Sequence, residues 1–196
     1  MKTSKLLLAL FSAAGLAFAG GVSAAGTTMS KDAHDTAYKD AEAQYKANKA
    51  ACSNLSGNAK DICMEDAKGK EKVAKAEADA AYKNTPKARE NARMAHADAT
   101  YNVAKEKCDD LSGNAKDVCV KEAKAAHVKA KADAKVDRVA ADTQATSTDK
   151  VAAARKDASE DKRDADYKVA IEKCDSLSGS AKDACVSNAK TRYGKN

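Results

Sequence analysis

Apolar residues recur along this chain at alternating steps of three and four positions, which is the spacing of one face of an α-helix. The clearest example is an a/d heptad seam of Met94, Ala97, Tyr101, Ala104, Cys108 and Leu111. A shorter seam of the same kind contains Tyr167, Ala170, Cys174 and Leu177. The pattern predicts long amphipathic helices that pair along these seams as in a coiled coil.

A stretch bounded by cysteines interrupts this helical pattern three times. The copies read CSNLSGNAKDIC, CDDLSGNAKDVC and CDSLSGSAKDAC, and they begin at Cys52, Cys108 and Cys174. Together they contain all six cysteines of the chain, always with ten residues between the two members of a copy. This stretch is therefore the repeating unit around which the chain is organised.

The centre of each copy predicts a tight reversal between two helices. Glycine after Leu-Ser suits the left-handed conformation at a helix C-terminus, and the three glycines are Gly57, Gly113 and Gly179. The next residue is a good N-cap in every copy: Asn58, Asn114 or Ser180. An aspartate three positions after that cap favours the positive end of a new helix. Each copy therefore predicts a hairpin of two antiparallel helices.

The position of the cysteines predicts how they pair, although six cysteines allow 15 pairings. In each copy one cysteine lies five residues before the glycine and the other lies five residues after the predicted cap. Both are then about 7.5 Å from the turn, level with each other on antiparallel helices. This geometry favours the local pairs Cys52–Cys63, Cys108–Cys119 and Cys174–Cys185. Metal binding and thiol redox chemistry are the weaker alternatives, because zinc ligands stand closer in sequence and no CxxC pair is present.

The turn signals divide the chain into six helices and three hairpins. The helices are expected to start near residues 31, 59, 86, 115, 149 and 181. Ser30 is a candidate N-cap for the first helix, and Thr85 and Pro86 are candidates for the N-cap and first residue of the third. The predicted hairpins span residues 25–84, 85–142 and 149–196, and the polar segment 143–148 links the last two.

The composition limits how well such helices can pack. Hydrophobic residues make up 43% of the 196 positions, but aromatic residues make up only 4% and tryptophan is absent. Much of the apolar count is alanine, which buries little area. We therefore expect an all-α fold of loosely packed or extended hairpins that depends on its disulfides.

The first residues have the pattern of a Sec-type signal peptide over residues 1–24. Lys2 and Lys5 precede an apolar run over 6–19, and small residues allow cleavage after Ala24 or, alternatively, after Ala19. Removing the two lysines lowers the formal net charge from +6 to +4. Export to the periplasm agrees with paired cysteines, and no membrane span is expected after signal removal.

The sequence contains no pattern that indicates catalysis. His34, His96 and His127 stand alone on polar helices, so we interpret them as surface residues. Carboxylates are spread among lysines at helical intervals, which is typical of a solvated face. We therefore predict no enzyme, no cofactor and no metal site.

One tyrosine stands seven residues before the first cysteine of every copy: Tyr45, Tyr101 and Tyr167. We expect these rings to lie along the hairpin seam or over the disulfide. Ligand binding is the alternative interpretation.

The upstream tyrosine, the CDxLSGNAKDVC motif and a following EAKA segment resemble a group of small secreted proteins of Gram-negative bacteria. Members of this group are uncharacterised or labelled cell-envelope or TolA-like proteins. The resemblance covers the N-terminal segment and all three repeats. It implies a periplasmic location and carries no catalytic residues over to this chain.

These observations favour a non-enzymatic structural or protein-interaction module of the cell envelope, with an unknown envelope protein as its partner. A weak polyanion or envelope-surface binder is one alternative, and a thiol redox or metal-buffering protein is another. Nucleic acid is not expected as a partner, because acidic residues interleave with the basic ones and no clustered basic stripe is present.

Overall fold

The computed structural model describes residues 28–142 and 147–195, which form six α-helices and no strand. The helices are α1 Lys31–Cys52, α2 Gly57–Lys83, α3 Pro86–Cys108, α4 Gly113–Asp142, α5 Thr148–Cys174 and α6 Gly179–Tyr193. The all-α prediction and the three hairpins are confirmed. The predicted signal peptide and residues 143–146 of the predicted linker lie outside the described part of the chain.

The six helices form a single antiparallel layer. Within the ranges given above, each helix packs only against its neighbours in the chain, and α2 packs against α3 at least as extensively as against α1. The three glycine corners therefore lie at one end of the layer, and the last turns of α2 and α4 lie at the other. The hairpins stand side by side in an open array instead of closing into a bundle.

The connection between α2 and α3 forms as its residues predict. Asn84 ends α2 with a left-handed backbone, φ +47°, and so reverses the chain. The Ala88 N–H donates to the Thr85 side-chain oxygen at 3.1 Å, and Pro86 is the first residue of α3. Ser30 caps α1 in the same way, accepting from the Ala33 N–H at 3.2 Å. The predicted caps at both places are confirmed.

The corners differ in detail from the predicted helix stop and cap. Each odd-numbered helix ends at its cysteine, because the leucine N–H three residues later bonds back to the cysteine carbonyl at 3.0–3.1 Å. The glycine is the first residue of the next helix. Its left-handed conformation is confirmed, with φ of +55°, +56° and +57° at Gly57, Gly113 and Gly179. The N-cap prediction is wrong at the first and third corners, where Ser56 and Ser178 hold the N-cap position of α2 and α6 in place of Asn58 and Ser180.

Small side chains form the contacts between helices. The buried apolar residues are alanines and the three upstream cysteines, and Cys52, Cys108 and Cys174 are 0% exposed. Helices α2 and α3 approach each other closely at Gly69, where an added Cβ would lie 2.8 Å from the Cβ of Ala99. Because so little apolar area is buried, the covalent corners carry a large share of the stability.

Charged side chains on the solvated faces also bridge neighbouring helices, which the sequence analysis did not predict. Lys75 on α2 lies 2.9 Å from Glu42 on α1, and Lys121 on α4 lies 3.2 Å from Glu172 on α5. Other pairs of this kind are Lys129–Asp166, Lys173–Glu122 and Lys195–Asp164. Such partly exposed pairs contribute at most about 1 kcal/mol each. They therefore fix which helix faces lie together more than they stabilise the layer.

Glu90 is the one buried charged residue in the described part of the chain, at 5% exposure. Its carboxylate accepts from Lys87 at 2.5 Å on its own helix and from Arg138 at 3.1 Å on α4. Arg138 also pairs with Asp142 at 2.6 Å. This network joins the start of α3 to the end of α4, at the end of the layer that has no disulfide.

Candidate functional site

The three disulfide corners are the feature that sequence and structure both single out. The structure joins the predicted pairs, with Cα–Cα distances of 5.7, 5.6 and 5.7 Å for the first, second and third copies. No cysteine is free. In every pair the upstream cysteine is fully buried and the downstream one is partly exposed. Three such bonds are typical of a protein outside the reducing cytoplasm.

A hydrogen bond that the sequence analysis missed links successive corners. The Asn58 amide donates to the Glu106 carbonyl oxygen at 2.9 Å, and the Asn114 amide donates to the Glu172 carbonyl oxygen at 2.9 Å. Each acceptor belongs to the last turn of the next odd-numbered helix. The third copy has Ser180 at this position, and α6 is the last helix of the described ranges. That difference between the copies was the available signal in the sequence.

We expect the double change Asn58→Ser and Asn114→Ser to lower the free energy of unfolding by about 2 kcal/mol, because each loses one half-buried hydrogen bond worth about 1 kcal/mol. Chemical denaturation followed by circular dichroism measures the loss. The reverse change at the last corner, Ser180→Asn, is the matched control and should leave stability unchanged. An equal effect of both variants would show that the amides do not act between hairpins.

Each corner also presents one leucine to solvent. Leu55, Leu111 and Leu177 are 42%, 44% and 42% exposed, and they are three of the four exposed large hydrophobic residues in the described ranges. Lys116 and Lys182 pair with Asp109 and Asp175 across their own corners, at 3.0 and 2.9 Å. The linked corners therefore form a row of three similar apolar points at one end of the layer.

The histidines are not isolated, contrary to the sequence interpretation, although His96 is exposed as expected. The Nε2 atom of each histidine lies within hydrogen-bond distance of a carboxylate oxygen on an adjacent helix. The Nε2–oxygen distances are 2.8 Å for His34 and Asp79, 2.6 Å for His96 and Glu77, and 2.5 Å for His127 and Asp98. The acidic partner lies 19 to 45 residues away in sequence, which is why the pattern of a single helix did not reveal it.

The most connected of these contacts joins α1 to α2 at the end away from the corners. Asp79 accepts from the Lys83 ammonium at 2.6 Å and from the Tyr38 hydroxyl at 2.9 Å, beside its contact with His34. Lys83, and after it His34 and Tyr38, lower the pKa of Asp79 to about 2. Burial, together with the bond to Asp79, raises the pKa of Tyr38. The His34 ring also packs on Tyr38 and on Tyr82, with centroid distances of 4.6 and 4.8 Å. The cluster is suited to fastening two helices.

A depressed carboxyl pKa makes this fastening depend on pH. Because the unfolded-state value is near 3.8 and the folded value is about 2, the contribution of Asp79 is present above pH 4 and is lost as the pH falls toward 2. We expect Asp79→Asn to lower the free energy of unfolding by about 1 kcal/mol at pH 7. Denaturation curves at pH 7 and near pH 2 should show the difference from the unmodified chain shrinking with acidification. The control is Asp40→Asn, which should change neither curve. Asp40 is exposed, and its carboxylate forms no hydrogen bond or ion pair with the residues that the structure describes.

Two of the three repeated tyrosines lie along the seams, which is one of the two predicted positions. Tyr101 stacks on His127 of α4 at 4.8 Å, and Tyr167 meets Tyr193 of α6 edge-on at 6.2 Å. Both rings therefore pack between the two helices of their own hairpin. Each lies seven residues, or about 10 Å along the helix, before its cysteine.

No group of three or more metal-ligating side chains occurs in the residues that the structure describes. Over the same residues, no helix combines the length and apolar character that crossing a bilayer requires. Comparison with protein-family models, with curated proteins and with solved structures finds no match to this chain. The functional argument therefore rests on the sequence and the structure of this chain itself.

Proposed function

We propose that this chain is a non-enzymatic structural or protein-interaction module of the periplasm, of the kind that its resemblance to small secreted envelope proteins suggests. The observation that carries the proposal is the row of three disulfide corners on a single helical layer. Such a layer has a fixed spacing of corners and large solvent-exposed faces, and it needs an oxidising compartment to keep its cross-links. These are the properties of a spacer or a binding surface.

The two alternatives have less support. A polyanion binder needs a basic surface that is free to contact phosphate groups. Lysines of α4 instead pair with carboxylates on the neighbouring helices. Lys129 pairs with Asp166 of α5, and Lys131 pairs with Asp98 of α3. A thiol redox or metal-buffering protein needs free thiolates, whereas all six cysteines are bonded.

The first test is location. The full chain, produced in a Gram-negative bacterium, should be recovered from the periplasm without residues 1–24 and without titratable thiols. Recovery in the cytoplasm with intact residues 1–24 would remove the periplasmic part of the proposal.

The second test is association. Cross-linking of lysines in intact cells, followed by mass spectrometry, should join the chain reproducibly to one envelope component, and an unrelated exported helical protein serves as control. A chain that stays free of envelope components in the cell would contradict the interaction role. An adduct of two copies of this chain does not count as such a component.

A further inference from the structure

One face of the helical layer carries three adjoining grooves. They lie between α2 and α3, between α3 and α4, and between α4 and α5, with volumes of about 470, 390 and 460 Å³. The first two share His96, Thr100 and Ala104, and the last two share Ala126. Because neighbouring grooves share these residues, all three open on the same side. We call this side, defined by Thr100, Ala104 and Ala126, the grooved face.

Small apolar residues line the grooves. Ala104 and Ala123 lie between α3 and α4, Val73 and Val103 line the groove beside α2, and Ala170 lines the groove beside α5. Thr100 and Ala126, which are exposed, stand on the ridges between grooves. Short side chains on these ridges allow another layer of helices to approach closely.

The six carboxylates and the six Lys and Arg side chains that line the grooves balance each other in number, and most of them pair within the chain. Arg93 pairs with Asp137 across the middle groove. The groove beside α2 is bridged by His96 and Glu77, and the groove beside α5 by Lys129–Asp166 and Lys173–Glu122. The grooved face therefore offers no excess charge that would select a strongly acidic or basic partner.

We propose that the grooved face packs against the same face of a second copy of this chain, which gives a dimer of two helical layers. A single layer leaves its helices without the second layer that globular domains use to bury a core. A two-fold arrangement places the small ridge residues of one copy against those of the other, and its balanced charges are self-complementary.

The available area is sufficient for a stable dimer. Helix α3 has 23 residues and is the shortest of the four central helices, with a length of about 35 Å at 1.5 Å per residue. Four helices at axial distances of 8–10 Å span about 35 Å. The face is therefore roughly 1,200 Å² in projection, compared with about 800 Å² per partner in a stable interface. The row of corner leucines alone is much smaller than this. The inference does not depend on the cellular location proposed above.

Sedimentation equilibrium of the purified, oxidised protein over micromolar concentrations tests this inference. The unmodified chain should have twice the monomer mass. Thr100→Lys and Ala126→Lys each bury a lysine charge in the dimer interface without a designed partner and should weaken association by at least about tenfold. Circular dichroism should stay unchanged, because lysine is nearly as good a helix former as alanine.

The matched control is Ala43→Lys, which makes the same substitution at an exposed alanine of α1 that lines none of the three grooves. It should leave the dimer intact. A monomeric unmodified chain would overturn the inference. So would a dimer that resists both ridge substitutions, or one that Ala43→Lys disrupts equally.

Discussion

Replacing Cys108 and Cys119 together by alanine should lower the free energy of unfolding by about 3 kcal/mol. In the chain-entropy model this is the stabilisation that a disulfide gains by closing a loop of this length, and it acts through the unfolded state. Alanine is preferred to serine because Cys108 is 0% exposed and a hydroxyl would be buried there. Denaturation followed by circular dichroism measures the loss. Since a domain has only about 5–15 kcal/mol in total, reduction of all three bonds should remove most of the cooperative transition.

The control is a variant in which all six cysteines are alanine. A reducing agent should leave the unfolding transition of this variant unchanged. Added to the unmodified chain, it should shift the transition to lower denaturant concentration. An unmodified chain whose transition is the same with and without reducing agent would show that the corners do not hold the layer together.

Replacing Gly69 by alanine should lower the free energy of unfolding by about 1–3 kcal/mol, although alanine favours helix formation by about 1 kcal/mol over glycine. The reason is the 2.8 Å distance from the added Cβ to the Cβ of Ala99, which has no rotatable bond with which to move away. Helices α2 and α3 would have to separate along the most extensive contact in the layer.

The double variant Gly69→Ala with Ala99→Gly distinguishes the effect of the steric clash between α2 and α3 from the effect of helix propensity. It exchanges the two partners and keeps one Cβ at the crossing, so we expect its stability to return to within about 0.5 kcal/mol of the original. Failure of the second change to restore any stability would show that the crossing is not the cause of the loss. Denaturation curves of the two single variants and the swap form the complete cycle.

Local features of this fold could be read from the sequence because each depends on residues a few positions apart. The left-handed glycines, the level cysteines and the restart at Thr85–Pro86 are of this kind, and all are observed. The helices that follow the corners begin two residues earlier than expected, at the glycines themselves. The end of each preceding helix is also fixed locally, because the leucine N–H closes the last turn on the cysteine carbonyl.

Contacts between helices could not be read in the same way, because they join residues far apart in sequence. Asn58 reads as a helix cap, and only the structure places Glu106 within its reach. His34 has the sequence context of a surface residue, and only the packing of α2 against α1 places Asp79 beside it. Gly69 did leave a trace, since an isolated glycine inside a helical pattern often marks a close approach of two backbones.

The central claim is that the two cysteines on either side of each glycine corner form a disulfide with each other. Non-reducing peptide mapping of the purified protein tests this claim. One lysine lies between the cysteines of each copy, at Lys60, Lys116 and Lys182, so trypsin cuts every loop once. The account predicts three cross-linked pairs: 50–60 with 61–68, 108–116 with 117–121, and 174–182 with 183–190. Any peptide pair that joins two different copies, or six peptides with free thiols, would contradict it.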